Sequence, residues 1–212
     1  MNTIKIIVPL VGTALAFACS TPRDDAASIN APVADRSSNA PARAAETHEE
    51  HAADASNQPY ELRFFDTMAM HHQQAIEMAK MAEMQAIHPE LKQLAAKMHK
   101  DQDKEIAEMR SHREQHFAGK PEAMDMSMPG MASMPSMDMS MLKTAKGEEF
   151  DRHFIEMMIS HHQAAVTMAE NAQSKSTMPM VKQMAEKMAE AQKKEIEQLK
   201  SWQAAWFGKG QR

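Results

Sequence analysis

The sequence predicts an all-α protein: an antiparallel four-helix bundle made of two duplicated helical hairpins, with a disordered N-terminal tether and a Met-rich central loop. Two observations carry this. The first is an internal repeat. Met68-Ala69-Met70-His71-His72-Gln73-Gln74-Ala75-Ile76-Glu77-Met78-Ala79 is answered by Met158-Ile159-Ser160-His161-His162-Gln163-Ala164-Ala165-Val166-Thr167-Met168-Ala169. The same offset pairs Phe64 with Phe154, Pro89 with Pro179, Met98 with Met188, Gln102 with Gln192 and Glu105-Ile106 with Glu195-Ile196, with no gap. The second is that each unit holds two helix-forming stretches split near a proline, which suits the first turn of a following helix because its missing N–H has no helical partner there. Hairpins of matching length bury their apolar stripes best against each other.

The elements follow in chain order. Lys5, the short apolar run Ile6 to Phe17 and small residues before Cys19 read as an export signal over residues 1–18. The run is too short to span a bilayer. Ala16-Phe17-Ala18-Cys19 resembles a bacterial lipoprotein cleavage box, and Cys19 is the sole cysteine, so lipidation at Cys19 is expected; ordinary signal cleavage is the plainer alternative. Ser20 then favours retention at the outer membrane, with the protein on the periplasmic side. Residues 19–57 are rich in Ala, Ser, Asn, Asp and Pro and read as a tether. His48-Glu49-Glu50-His51 within it lacks zinc-protease spacing and reads as a solvated acidic tail. Helices are expected at Pro59–Ala86, Pro89–Phe117, Gly147–Ser174 and Pro179–Phe207, giving a first hairpin over 58–118 and a second over 147–208 in one bundle. Gly119 and Gly208 stand where left-handed caps would close helices. The connection 119–146 has no helical period and is long enough to be functional or disordered.

Net charge and chemistry exclude several classes. The chain carries −5, and −6 once Lys5 leaves with the signal (−5 − 1), which argues against nucleic acid as a partner. No nucleophile with an adjacent base and no Gly-rich phosphate loop is evident, so an enzyme is not expected. A di-iron bundle enzyme would use Glu-x-x-His pairs, and the chain contains none.

Residues three, four, seven and ten apart share a helix face. Met68, His71, Ala75 and Met78 therefore line up, with His72 at the stripe's edge, and Met158, His161, Ala165 and Met168 repeat the pattern beside His162. Thioether sulfur suits Cu(I) and Ag(I), and imidazole serves Cu(I), Cu(II) and Zn(II). The bland alternative is a methionine core, the commoner role of a Met stripe. Asp66 and Glu156 precede the His pairs at equivalent places and suit outer hydrogen bonds, oxygen ligation or plain helix surface. Gln102, Gln192, Glu105 and Glu195 mark a polar position in each second helix, fitting interhelical hydrogen bonding. His88, His99 and His112 lack counterparts, since Met178, Ala189 and Trp202 replace them; His112 and His116 are spaced for a surface metal pair.

Eight of the eighteen residues from Met124 to Met141 are methionine: Met124, Met126, Met128, Met131, Met134, Met137, Met139 and Met141. Such a loop can fold three sulfurs around a soft ion, and a thioether has no proton to lose in acid. Outside the cytosol it is also the safer sulfur donor. The alternative is an adaptable patch docking a protein partner.

Met-x-x-His-His-Gln-Gln-Ala-Ile-x-Met-Ala, followed by a helix ending Gln-x-x-Glu-Ile, resembles the bacterial domain-of-unknown-function 305 family (DUF305), over about Tyr60 to Trp206 except the central loop. Ser160 and Ala164 depart from the motif in the second unit. The resemblance implies a ferritin-like four-helix fold, export, and copper binding of the CopM kind, with Met68, His71, His72, Met78, Met158, His161, His162 and Met168 as the site. The expectation is thus an exported, lipid-anchored copper or silver binder for metal sequestration, tolerance or handover to an efflux or storage partner, as a monomer or homodimer. The competing readings are a cell-envelope interaction protein and a ferritin-like metalloenzyme.

Overall fold

The computed structural model describes residues 55–131 and 139–208. Cys19, the signal and most of the tether lie outside the described residues, as do Met134 and Met137. The described residues form α1 (Tyr60–Gln85), α2 (Pro89–Phe117), a short α3 (Ser140–Thr144), α4 (Glu148–Lys175) and α5 (Pro179–Trp202), and no strand occurs among them. The architecture is the expected all-α bundle of two hairpins, with α3 an addition inside the central connection.

The helix boundaries have local causes. Pro89 and Pro179 open α2 and α5 at the first turn, and the residues before them, His88 and Met178, are extended as a following proline requires. Gly119 closes α2 with φ of 71°, and Gly147 turns the chain into α4 with φ of 63°. Glu148, Glu149 and Asp151 place negative charge in the first turn of α4, where the helix dipole favours it. Gly208 does not adopt the expected left-handed cap. Its φ is −72°, because α5 loosens into a π-helical turn over Gln203–Phe207 before reaching it.

α1 packs on α2 and α4 on α5, and the hairpins meet through α1 against α4; α2 and α5 are not a closely packed pair. The core is two apolar clusters rather than one. The first joins Phe64, Phe65, Met68 and Ile76 of α1 to Met168, Met184 and Met188 of the second hairpin. The second joins Met78 and Ala82 to Met98, Phe150, Phe154, Met158 and Leu199. A layer of buried histidine lies between the repeats.

A carboxylate from each hairpin clasps the turn of the other. Asp151 accepts the backbone N–H of Ile87 (3.1 Å) and His88 (3.0 Å) and pairs with His88 Nδ1 (2.6 Å). Its counterpart Glu61 accepts Ser176 Oγ and the Thr177 backbone N–H, both at 2.8 Å. Burial alone would raise the Glu61 pKa; these hydrogen bonds overcome it and hold the carboxyl below its usual range.

The connection from α2 is strapped onto the bundle. Asp66 accepts the Ala123 N–H (2.9 Å) and pairs with Arg113 Nε (2.6 Å), while Thr67 Oγ1 accepts the Asp125 N–H (2.9 Å). Arg63 pairs with Asp125 at 2.6 Å. Gly130, with φ of 99°, lies so close to α4 that a Cβ there would sit 2.1 Å from the Ala164 carbonyl oxygen. The loop is therefore seated on the bundle at Ala123, Asp125 and Gly130. The Ala164 departure from the repeat has a physical reason: Gly130 rests on the α4 backbone at this residue, whereas Gln74 occupies the equivalent place in α1.

Candidate metal centre

The two His-His pairs meet at the middle of the α1–α4 contact. The rings of His71 and His161 are 3.7 Å apart between centroids at 35°, and their side chains are within 2% of complete burial. His72 and His162 flank them, with ring separations of 6.4 Å and 6.2 Å from their neighbours. Neither is at the edge or surface: both are fully buried, because the α2 and α5 helices cover the side of the stripe they point to.

His72 Nε2 lies 2.8 Å from Glu105 Oε2, and His162 Nε2 lies 2.9 Å from Glu195 Oε2. This is the interhelical hydrogen bonding expected at that polar position. In the neutral ring, Nε2–H donates to the carboxylate and Nδ1 keeps its lone pair. A histidine anchored to a carboxylate by one nitrogen and open at the other is the usual posture of a metal ligand. Nδ1 of His72 and of His162 has no hydrogen-bond partner, and neither nitrogen of His71 or His161 has one. Six buried imidazole nitrogens of this layer are thus unpaired, at a cost of about 1–3 kcal/mol for each group so left.

Burial drives the His71 and His161 pKa values well below the ordinary 6.5, and the imidazoles around each push the same way; on His161 the nearby His71 backbone, too poorly placed for a formed hydrogen bond, opposes them only slightly. Both rings are neutral at pH 7 and present lone pairs instead of positive charge. Among the described residues no three His, Cys, Asp or Glu side chains already stand at metal-ligand spacing. An ion taking three such donors must draw them together, or complete its shell with sulfur.

Sulfur is close at hand on both sides of the layer. Met68, Met78, Met158 and Met168 are fully buried, Met68 and Met168 in the first apolar cluster and Met78 and Met158 in the second. The antiparallel crossing thus pairs opposite ends of the two motifs. The loop sulfurs face different ways. Met128 and Met131 are buried in the first cluster, Met139 is half-buried, and Met124, Met126 and Met141 are exposed.

The other polar candidates have separate duties. Asp66 anchors the strap through Arg113 and Ala123, and Glu156 is exposed, 4.0 Å from His153. His88 stacks on Trp206 at 3.8 Å and 6°, and His99 pairs with Glu83 at 2.8 Å. His112 and His116 lie 6.4 Å apart between ring centroids, with His112 also stacked on Phe65. The Glu61–Asp151 clasp was not anticipated. Its signal was an acid at the same place in both units, beside Leu62 in one and Phe150 in the other.

The model of the domain of unknown function DUF305 matches residues 61–203. The chain belongs to this family. No curated protein matches. Among solved structures, CopM is similar in its Cu(I)-bound form (39% identical, covering 71% of this chain and 100% of CopM, TM-score 0.60). It is also similar in its Cu(II)-bound form (41%, 69% and 97%, 0.61) and its Ag-bound form (38%, 71% and 99%, 0.60). A DUF305 fragment from Deinococcus radiodurans is 26% identical over 68% of this chain and 95% of that one, with a TM-score of 0.59.

Proposed function

We propose that this DUF305 protein binds copper and silver ions at the histidine layer, with Cu(I) favoured, and serves to sequester them or hand them on. The observation that carries the reading is the close, tilted pair of buried imidazoles of His71 and His161, their nitrogens without hydrogen-bond partners, with buried methionines of the same two motifs in both apolar clusters. Unpaired polar nitrogens in a dry core are costly unless something binds them. Imidazole with thioether is a soft donor set that accommodates copper in either oxidation state. That CopM was solved with Cu(I), Cu(II) and silver supports the same cargo here.

The chemistry is ligand exchange and not catalysis. His72 and His162 approach the ion through Nδ1 while Glu105 and Glu195 hold their Nε2–H, and methionine sulfur completes the shell. The exposed loop methionines offer a weaker outer site. Lipidation at Cys19 would hold the protein at the periplasmic face of the outer membrane, where thioethers resist oxidation better than thiols.

The test is competition titration of the full chain carrying Cys19→Ser with Cu(I), Ag(I), Cu(II) and Zn(II). A variant with His71, His72, His161 and His162 all changed to Ala, and one with 124–141 replaced by a Gly/Ser linker, run alongside. Tight Cu(I) and Ag(I) binding that the histidine variant loses supports the reading. Binding no tighter than that of a scrambled Met-rich peptide sinks it.

A further inference from the structure

The histidine layer is sealed by apolar side chains within the bundle, yet one polar opening touches it. Between α2 and α5 lies a cleft of about 270 Å³. The carboxylates of Glu105 and Glu195 line it, and these are the groups hydrogen-bonded to His72 and His162. One turn earlier on the same walls stand Gln102 and Gln192, only 4% and 3% exposed, each with its side-chain oxygen unpartnered. Met98 and Met188 lie beside them. Acids outnumber bases on the walls, Asp101, Glu105, Glu108 and Glu195 against Lys104 and Lys187, with Lys97 bridging Asp101 (2.7 Å) and Glu195 (3.3 Å) beside them, so a small acidic excess remains.

We infer that this cleft is the port through which cations reach the histidine layer, with Glu105 and Glu195 taking up the ion and passing it to His72 and His162. The inference rests on the proposed metal binding at that layer. The acidic excess concentrates cations at the mouth. The carboxylates and the unpaired amide oxygens hold the ion only weakly and in passing, and the Met98 and Met188 thioethers on the same walls offer the softer donors that Cu(I) and Ag(I) prefer. His72 and His162 then stand between the cleft and the inner His71–His161 pair, and they receive the ion at the open Nδ1 on the far side of the ring from the carboxylate. The pseudo-twofold relation gives two related but unequal lanes, since Lys97 Nζ lies 3.3 Å from Glu195 and Glu105 is the more exposed of the two carboxylates. The looser packing of α2 against α5, compared with α1 against α4, is what leaves the opening.

The experiment measures the rates at which Cu(I) passes from a coloured chelator to the full chain carrying Cys19→Ser, and back to excess chelator. Ala191, a half-buried residue on the cleft wall, is changed to Trp to plug it. Loading and extraction should slow by the same factor, several-fold or more, with the end-point affinity unchanged. A Lys104→Glu/Lys187→Glu variant should load faster by roughly tenfold at low salt, and the gain should vanish at high salt. Unchanged rates in a folded Ala191→Trp protein overturn the port while leaving metal binding intact. If Ala191→Trp fails to fold, the charge variant decides, and loading insensitive to it at low salt overturns the port. Absence of Cu(I) binding by the parent chain removes both the site and its port.

Discussion

The two hairpins are alike where they meet and unlike where they end. At the middle, His72–Glu105 and His162–Glu195 differ by 0.1 Å (2.8 and 2.9 Å), and His71 faces His161 across the pseudo-twofold axis. Outside the histidine layer the repeat breaks, on the outer face of α4 one turn from His161 and again at the hairpin turns. The strap from α2 rests on Ala164 of α4, whereas its counterpart Gln74 stays half-buried beside a groove. The first turn carries His88 against Trp206, with Trp206 stacked in turn on Trp202 at 5.1 Å; the second turn has Met178 in that place. The difference separates two demands on one fold. A site on a twofold axis needs equal contributions from both repeats, and so the four histidines and their two glutamates repeat unchanged while neighbours such as Met70/Ser160 differ. The ends need only be closed, and each closes with whatever covers its apolar cluster.

The middle can be broken most decisively by making it apolar. Changing His71 and His161 together to Leu fills a similar volume and removes the unpaired nitrogens. Cu(I) affinity should fall by at least a hundredfold, or about 2.7 kcal/mol, in a chelator competition. The metal-free protein should meanwhile become more stable by about 2 kcal/mol, because orphaned polar groups no longer sit in the core. A urea titration reads this directly. Lower stability of the metal-free double variant would mean that the imidazoles are satisfied structural groups, and the case for a binding layer would fail.

The clasps test whether equivalent residues carry equal weight at the ends. Asp151 is fully buried and takes two backbone N–H groups, while Glu61 is 7% exposed and takes one, with two hydroxyls. Asp151→Asn should cost about 3 kcal/mol, since an amide points a donor at donors, and Glu61→Gln about half that. Equal costs would show that the repeat remains symmetric in energy despite its unlike turns. The strap comes next. Gly130→Ala forces a methyl against the Ala164 carbonyl at a backbone angle that side chains avoid, so a loss of about 1–3 kcal/mol is expected. Glycine at the exposed, equally left-handed Gly119 has open space around it, and Gly119→Ala should cost less, about 1 kcal/mol.

Much of this was legible because duplication doubles every signal. The ninety-residue offset located the four helices to within a residue or two at most ends, since Pro89, Pro179, Gly119 and Gly147 mark boundaries by backbone chemistry alone. The His/Met stripe was legible from periodicity. Period could not show which way His72 and His162 point, because a stripe's edge is buried or exposed according to what packs over it. The clasps were hidden for a related reason: Glu61 and Asp151 act across hairpins, on turns 115 to 116 and 63 to 64 residues away. The loop hid most. Its composition announces sulfur, but Met128 and Met131 turn inward through Gly130 and the Asp66 and Asp125 anchors, and nothing in an M-x-M spacing encodes that.

The smallest expected effect is one of pH, and it distinguishes the middle from the ends without touching metal. His71 and His161 have folded pKa values depressed by burial, so below about 6.5 the unfolded chain binds protons on them that the folded chain refuses. Stability therefore rises with pH through that range and falls as the solution is acidified beneath it. The clasp at Glu61 acts lower: its carboxyl is held below the usual value when folded, so its contribution is present above the unfolded pKa near 4.5 and is lost as pH drops past it. Urea midpoints of the metal-free parent should decline between pH 7 and pH 5. The His71→Leu/His161→Leu variant should stay flatter over that interval, then fall in parallel with the parent further into acid. Identical slopes for the two proteins from pH 7 to 5 would mean that the inner imidazoles take up protons in the fold as readily as out of it, and the dry, neutral layer on which the site depends would not exist.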